Sequence, residues 1–110
     1  MRLLLCSLFL AAPLAAQDAP PPVKLPSTEG MDPEVVSHLE ALIATVEATP
    51  GDAELHADLG LAYEANTIFE PAAQCYRNVI AMLPDRPEWR YRLGVMLTDV
   101  FFETYHSHRL

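Results

Sequence analysis

The chain has 110 residues, 51% of them hydrophobic, with ten prolines against four glycines and a formal net charge of −8. That length leaves room for one small domain, the apolar content excludes a disordered acidic chain, and the lack of any Lys/Arg stripe argues against a nucleic-acid partner. The charge is unevenly spread: Gln17 to Glu70 carries one Lys against eleven acids, a net of −10, and Pro71 to Leu110 five Arg against four acids, a net of +1. A solvated acidic surface accounts for this asymmetry; orientation of a partner or of a second copy is the alternative.

Met1-Arg2 gives a positive start, Leu3 to Leu14 is almost wholly apolar, and Ala15-Ala16 precedes the polar Gln17-Asp18. This is the layout of a secretory signal peptide, so residues 1–16 are expected to be removed and the rest exported, to a periplasm or beyond the cell. The apolar run is well short of the ~20 residues that span a bilayer, and no later segment is expected to hold the mature chain in a membrane. Leu14 occupies a place where a smaller residue is usual, which makes cleavage after Ala16 a best match only. Cys6 comes too early, behind three leucines, for lipid attachment. Without the leader Cys75 is the only cysteine, so neither an internal disulfide nor a cysteine-based metal site can form. Such a thiol reads as a small buried hydrophobe, with intermolecular pairing the alternative.

Residues 17–31, QDAPPPVKLPSTEGM, hold four prolines and no apolar periodicity. They predict an extended, disordered, solvated linker that spaces the fold from the export junction. Helical signals follow over residues 32–100. Asp32-Pro33-Glu34 combines a capping side chain, a proline suited to the first turn and an acid at the positive helix end. Val35, Leu39, Leu42, Ile43 and Val46 recur at helical spacing, and Thr49-Pro50-Gly51 ends that helix. Asp52 opens a second, with Leu55, Leu59, Ala62 and Tyr63 as its apolar stripe and a break at Asn66-Thr67. Thr67-x-x-Glu70 has the form of a capping box for a third helix carrying Ala72, Tyr76, Val79, Ile80 and Leu83 to Pro84. A fourth starts around Asp85 to Pro87 and presents Trp89, Leu93 and Leu97. Leu93, Leu97, Val100, Phe101 and Thr104 continue at helical spacing without Gly or Pro, so that helix is expected to run past Val100 into residues 101–110. Phe101 and Phe102 would then form an apolar patch fit for a partner or for self-association.

A repeat period is visible: Pro50 and Pro84, Leu59 and Leu93, and Gly60 and Gly94 are each 34 residues apart. Within one unit the string is His56-x-x-Leu59-Gly60-x-x-Tyr63, then Ala72-x-x-x-Tyr76, then Pro84. This resembles the tetratricopeptide repeat, whose pattern has Trp, Leu-Gly, Tyr, Ala, an aromatic and Pro at those spacings; His56 departs from Trp and Tyr76 stands in for Phe. The resemblance covers Asp52 to about Leu97, with Glu34 to Pro50 a loosely related second helix of an earlier unit, and it fails after Leu97. It implies an all-α fold of antiparallel helix hairpins, about four helices, in which Leu59, Gly60, Tyr63, Ala72, Tyr76, Pro84, Leu93 and Gly94 are the structural positions. Gly60 and Ala72 are expected to face each other at the closest helix approach, because Gly within a helix costs about 1 kcal/mol that close packing must offset. One hairpin and two half-units fall short of the three repeats such folds normally need.

Nothing points to catalysis. His106-Ser107-His108, with Asp99 and Glu103 upstream, is the only ligand-like cluster, but residues two apart on a helix point in nearly opposite directions, so no metal and no other cofactor is expected. His56 reads as a partly buried structural histidine, and no phosphate-cradling loop or nucleophile elbow occurs. The informative surface lies opposite the core stripe. Glu54, Ala57, Leu61 and Glu64 share one face of the second helix, and Glu88, Tyr91, Val95 and Thr98 the matching face of the fourth. In the resembled family the first helix of each pair lines a concave groove for peptides, which makes these eight the candidate partner-binding residues. None of the eight is the Lys, Arg or Asn that the family's carboxylate-clamp groove requires. The sequence therefore predicts an exported protein–protein interaction module; a truncated piece of a larger repeat protein is the alternative.

Overall fold

In a computed structural model, residues 19–109 are described, with side chains to His106; the expected leader, residues 1–16, lies outside them. The described residues form four α-helices and no strand: α1 (Pro33–Ala48), α2 (Ala53–Ala65), α3 (Phe69–Met82) and α4 (Pro87–Arg109). Short turns join them, and each packs against the next in chain order. No described helix is long and apolar enough to cross a membrane.

The first two helix starts follow from their caps. The Asp32 carboxylate accepts the Glu34 amide at 2.8 Å, with Pro33 at the first position of α1. The Asp52 carboxylate does the same for the Glu54 amide at 3.0 Å. Each cap satisfies one of the amides a helix leaves open at its N-terminus.

The third start differs from the expected capping box. Helix α3 begins at Phe69 after Ile68, with no side-chain cap, and Thr67 belongs instead to the end of α2. Its φ of 56° is left-handed, the Thr67 amide donates to the Glu64 carbonyl at 3.0 Å, and the Ile68 amide donates to the Tyr63 carbonyl at 2.9 Å. Those two bonds are the Schellman closure, in which a left-handed residue lets the chain reverse while serving the last free carbonyls. Reversing from α2 to α3 within three residues takes this geometry, and it turns the Thr67 side chain away from the start of α3; its hydroxyl donates to the Asn66 carbonyl at 2.7 Å.

The core runs through all four helices: Leu39, Ile43 and Val46 from α1, Leu59 and Tyr63 from α2, Ala72, Ala73, Cys75 and Tyr76 from α3, and Met96 from α4. Gly60 marks the tightest approach of α2 to α3. A Cβ there would lie 2.7 Å from Tyr76 Cε1 and 2.9 Å from Cys75 Cβ, so the neighbours that require a glycine are these two rather than Ala72. The Tyr76 ring also packs against Trp89, centroid to centroid 5.7 Å. His56, expected to be partly buried, is fully enclosed, and its Nε2 lies 2.8 Å from the Pro50 carbonyl, tying α2 to the turn before it. Gly94, its sequence counterpart to Gly60 notwithstanding, faces open space.

Residues 19–31 depart from the solvated spacer the prolines suggested. They are extended, yet Val23, Leu25 and Met31 pack against the core, and the buried Tyr63 hydroxyl donates to the Val23 carbonyl at 2.6 Å. Lys24 lies 4.0 Å from Glu47 of α1. Prolines suppress helix and turn but leave the alternating side chains of an extended strand free to pack, and three apolar residues suffice to hold this arm down.

At the other end α4 continues unbroken for 23 residues, about 34 Å at the helical rise. Phe101, Phe102 and Tyr105 remain 63%, 52% and 46% exposed along it.

Candidate interaction face

Helix α2 contacts both α1 and α3, so only a narrow strip of it reaches the surface. That two-sided packing buries Ala57, which is 2% exposed, and half-buries Leu61 against the core. Ala57 is therefore not available as a contact side chain, and Leu61 only in part. What α2 does present is Glu54 at one end and Glu64 at the other.

From α4 the surface is supplied by Glu88, Tyr91 and Val95. Together with Glu64 and Arg92 they line a concavity of about 410 Å³. Tyr91 is 75% exposed and Val95 39%, so an aromatic ring and a branched aliphatic chain stand over an otherwise charged hollow. Thr98 lies one turn beyond it, its hydroxyl donating to its own helix at the Gly94 carbonyl, 3.0 Å away. Four of the eight expected residues thus come together, two flank the hollow, Leu61 is half-buried and Ala57 is covered.

Two arginines from outside the eight expected residues enter this face. Arg92 lies 3.2 Å from Glu64, and the same carboxylate accepts the Tyr76 hydroxyl at 2.7 Å. Arg86 sits 3.8 Å from both Glu54 and Glu88. Each acid on the face thus has a guanidinium neighbour, and the two arginines offset two of the three negative charges of Glu54, Glu64 and Glu88. The Glu64 network is half-buried, where such bonds are worth more than at the surface; the Arg86 pairs are exposed and worth little individually. Neither arginine occupies an aligned groove position in the repeat register, and pairing 28 residues apart cannot be seen without the packing of α2 beside α4.

The chemistry of the remaining polar groups is structural. Burial raises the Cys75 thiol to about 12 and the Tyr63 hydroxyl, with a smaller push from Cys75, also to about 12. Neither is ionised near neutrality, so neither is an activated nucleophile. Among the described residues no three His, Cys, Asp or Glu side chains gather as a metal ion would need.

Comparison with protein-family models, with curated proteins and with solved structures gave no match to this chain.

Proposed function

We propose that the protein is an exported interaction module of tetratricopeptide type, which binds an extended peptide or a protein segment across the α2–α4 face. The observation that carries this reading is the pairing of Tyr91, 75% exposed, with Val95 over a hollow whose acids are each paired with Arg86 or Arg92. Exposed aromatic residues beside satisfied charges are the usual anchors of a binding surface, because a partner gains apolar contact there without stranding a charge. The 34-residue echo of Leu59-Gly60 in Leu93-Gly94, the close approach at Gly60 and the sequential packing of short helices support the repeat reading. The leader-like residues 1–16 support export, and mass spectrometry of protein from its native host should find a mature N-terminus near Gln17.

Peptides selected from a random displayed library test the binding reading. They are expected to lose at least tenfold affinity for Tyr91→Asp, and to keep it for Thr45→Asp on the exposed side of α1. Selected peptides that bind Tyr91→Asp as well as the parent chain overturn it.

A further inference from the structure

Helix α4 carries two stripes, not one. Trp89, Leu93, Met96 and Val100, spaced 4, 3 and 4, face the body of the fold, with Met96 2% exposed and the others partly buried. Half a turn away lie Tyr91, Val95, Thr98, Phe102 and Tyr105, spaced 4, 3, 4 and 3. That is the 3.5-residue period of a coiled-coil seam, sustained over two heptads and about 21 Å of helix. Its four larger side chains are 75%, 39%, 52% and 46% exposed. Phe101, 63% exposed, stands beside the seam and stacks with Tyr105 at 6.2 Å, and Phe102 stacks with His106 at 6.3 Å.

We infer that this seam is a homodimer interface in which α4 of one copy packs antiparallel against α4 of a second. A heptad seam is matched by a helix with the same period and length, and every copy of this chain presents one. With about 200 Å² per aromatic side chain, the observed exposures leave about 400 Å² of mostly apolar surface per copy, about 800 Å² when two copies meet. Phe101 and the polar edges of the helix bring the contact past the ~1,000 Å² of a specific interface. The charges set the direction. A parallel pairing puts Glu88 against Glu88, whereas an antiparallel pairing centred near Val100 separates them. That register sets Val95 against Tyr105 of the second copy and Thr98 against its Phe102. The inference rests on the α4 face being an interaction surface and names its occupant.

Sedimentation equilibrium of the full chain, with circular dichroism as the folding control, tests it. A dimer is expected at tens of micromolar. Val95→Glu and Phe102→Glu should shift the mass to a monomer with unchanged helix content. Leu97→Glu, which removes an equally exposed apolar residue off the seam (42%), should leave the dimer. A monomer at all concentrations overturns the inference; so does a dimer that survives Phe102→Glu, or one lost equally in Leu97→Glu. For direction, oxidation should cross-link the double variant Val95→Cys/Tyr105→Cys into dimers and leave Val95→Cys alone uncross-linked; the reverse pattern overturns the antiparallel arrangement. Failure here leaves the peptide-binding reading intact if Tyr91→Asp still abolishes binding of selected peptides to a monomeric chain.

Discussion

The hydroxyl of Tyr63, in the last turn of α2, donates a 2.6 Å hydrogen bond to the carbonyl of Val23, forty residues earlier in the chain. The bond fastens a proline-rich segment that has no helix of its own to the best-buried part of the fold. Tyr63→Phe keeps the ring in place and removes only that donor, at a cost of about 1 kcal/mol. The chain's single lysine, Lys24, lies next to the anchored carbonyl. A lysine-specific protease should therefore cut Tyr63→Phe about fivefold faster after Lys24 than the parent chain. Equal cutting rates would show that the apolar contacts of Val23 and Leu25 hold the arm without the bond.

Stability should fall on the alkaline side. Burial holds Cys75 up from 9.0 to about 12 and Tyr63 up from 10.0 to about 12. Tyr76 is raised further still, by burial first and then by its bond to the Glu64 carboxylate. Each group is neutral in the fold at a pH where the unfolded chain has lost its proton. The stabilisation from these protons is complete below pH 9 and is lost as pH rises through 10 toward 12. Urea midpoints at pH 8 and pH 11, read with tyrosinate absorbance, check this; equal midpoints would contradict it.

Two glycines should respond to alanine with opposite signs. Gly60→Ala places a Cβ inside 3 Å of Tyr76 and Cys75, an overpacking that costs about 1–3 kcal/mol. Gly94→Ala meets nothing and removes backbone freedom from the unfolded chain, a gain of about 0.5–1 kcal/mol. Chemical denaturation of both variants decides the matter, and shifts of the same sign would refute the packing described for α2 and α3.

Thr67 is the third backbone test. A β-branched residue in the left-handed region is strained, and glycine is the residue this closure favours. Thr67→Gly should raise stability by about 1 kcal/mol, whereas a true capping threonine would lose a few tenths of a kcal/mol on the same change. The sign of the shift in denaturation midpoint separates the two roles.

The all-helical architecture and the starts of α1, α2 and α4 were legible in the sequence, because Asp32 and Asp52 bond amides within their own first turn and Pro87, with no amide hydrogen and a fixed φ, suits a first helical position. So was the run of α4 past Val100, which needed only the lack of a breaker. Thr67 was misread because threonine is what a capping box calls for and what the left-handed region disfavours, so only its φ angle reveals the helix-ending role. The docked arm escaped notice because its anchor is a main-chain carbonyl, which no side-chain pattern reports. On the candidate face, Tyr91 and Val95 follow from helix phase alone. Ala57 and Leu61 do not, since their burial depends on α2 having a neighbour on both sides. Arg86 and Arg92 are visible as residues but not as partners of Glu54 and Glu64, because those pairings arise from how the helices lie together.

The arm also determines where mechanical load would enter the molecule. Between Ala19 and Val23 there are only a few residues of extended chain, at most about 3.5 Å each, so a pull on anything attached upstream reaches the Val23 carbonyl almost at once. It is delivered through Tyr63 to the last turn of α2, and through Lys24 to Glu47 near the end of α1, before the first turn of α1 at Pro33 feels any tension. A helix pulled from its end unwinds residue by residue, whereas a load shared by a buried ring and the apolar contacts of Val23 and Leu25 must break several contacts together. The fold should yield to such a pull in one abrupt step, with the arm as its first casualty.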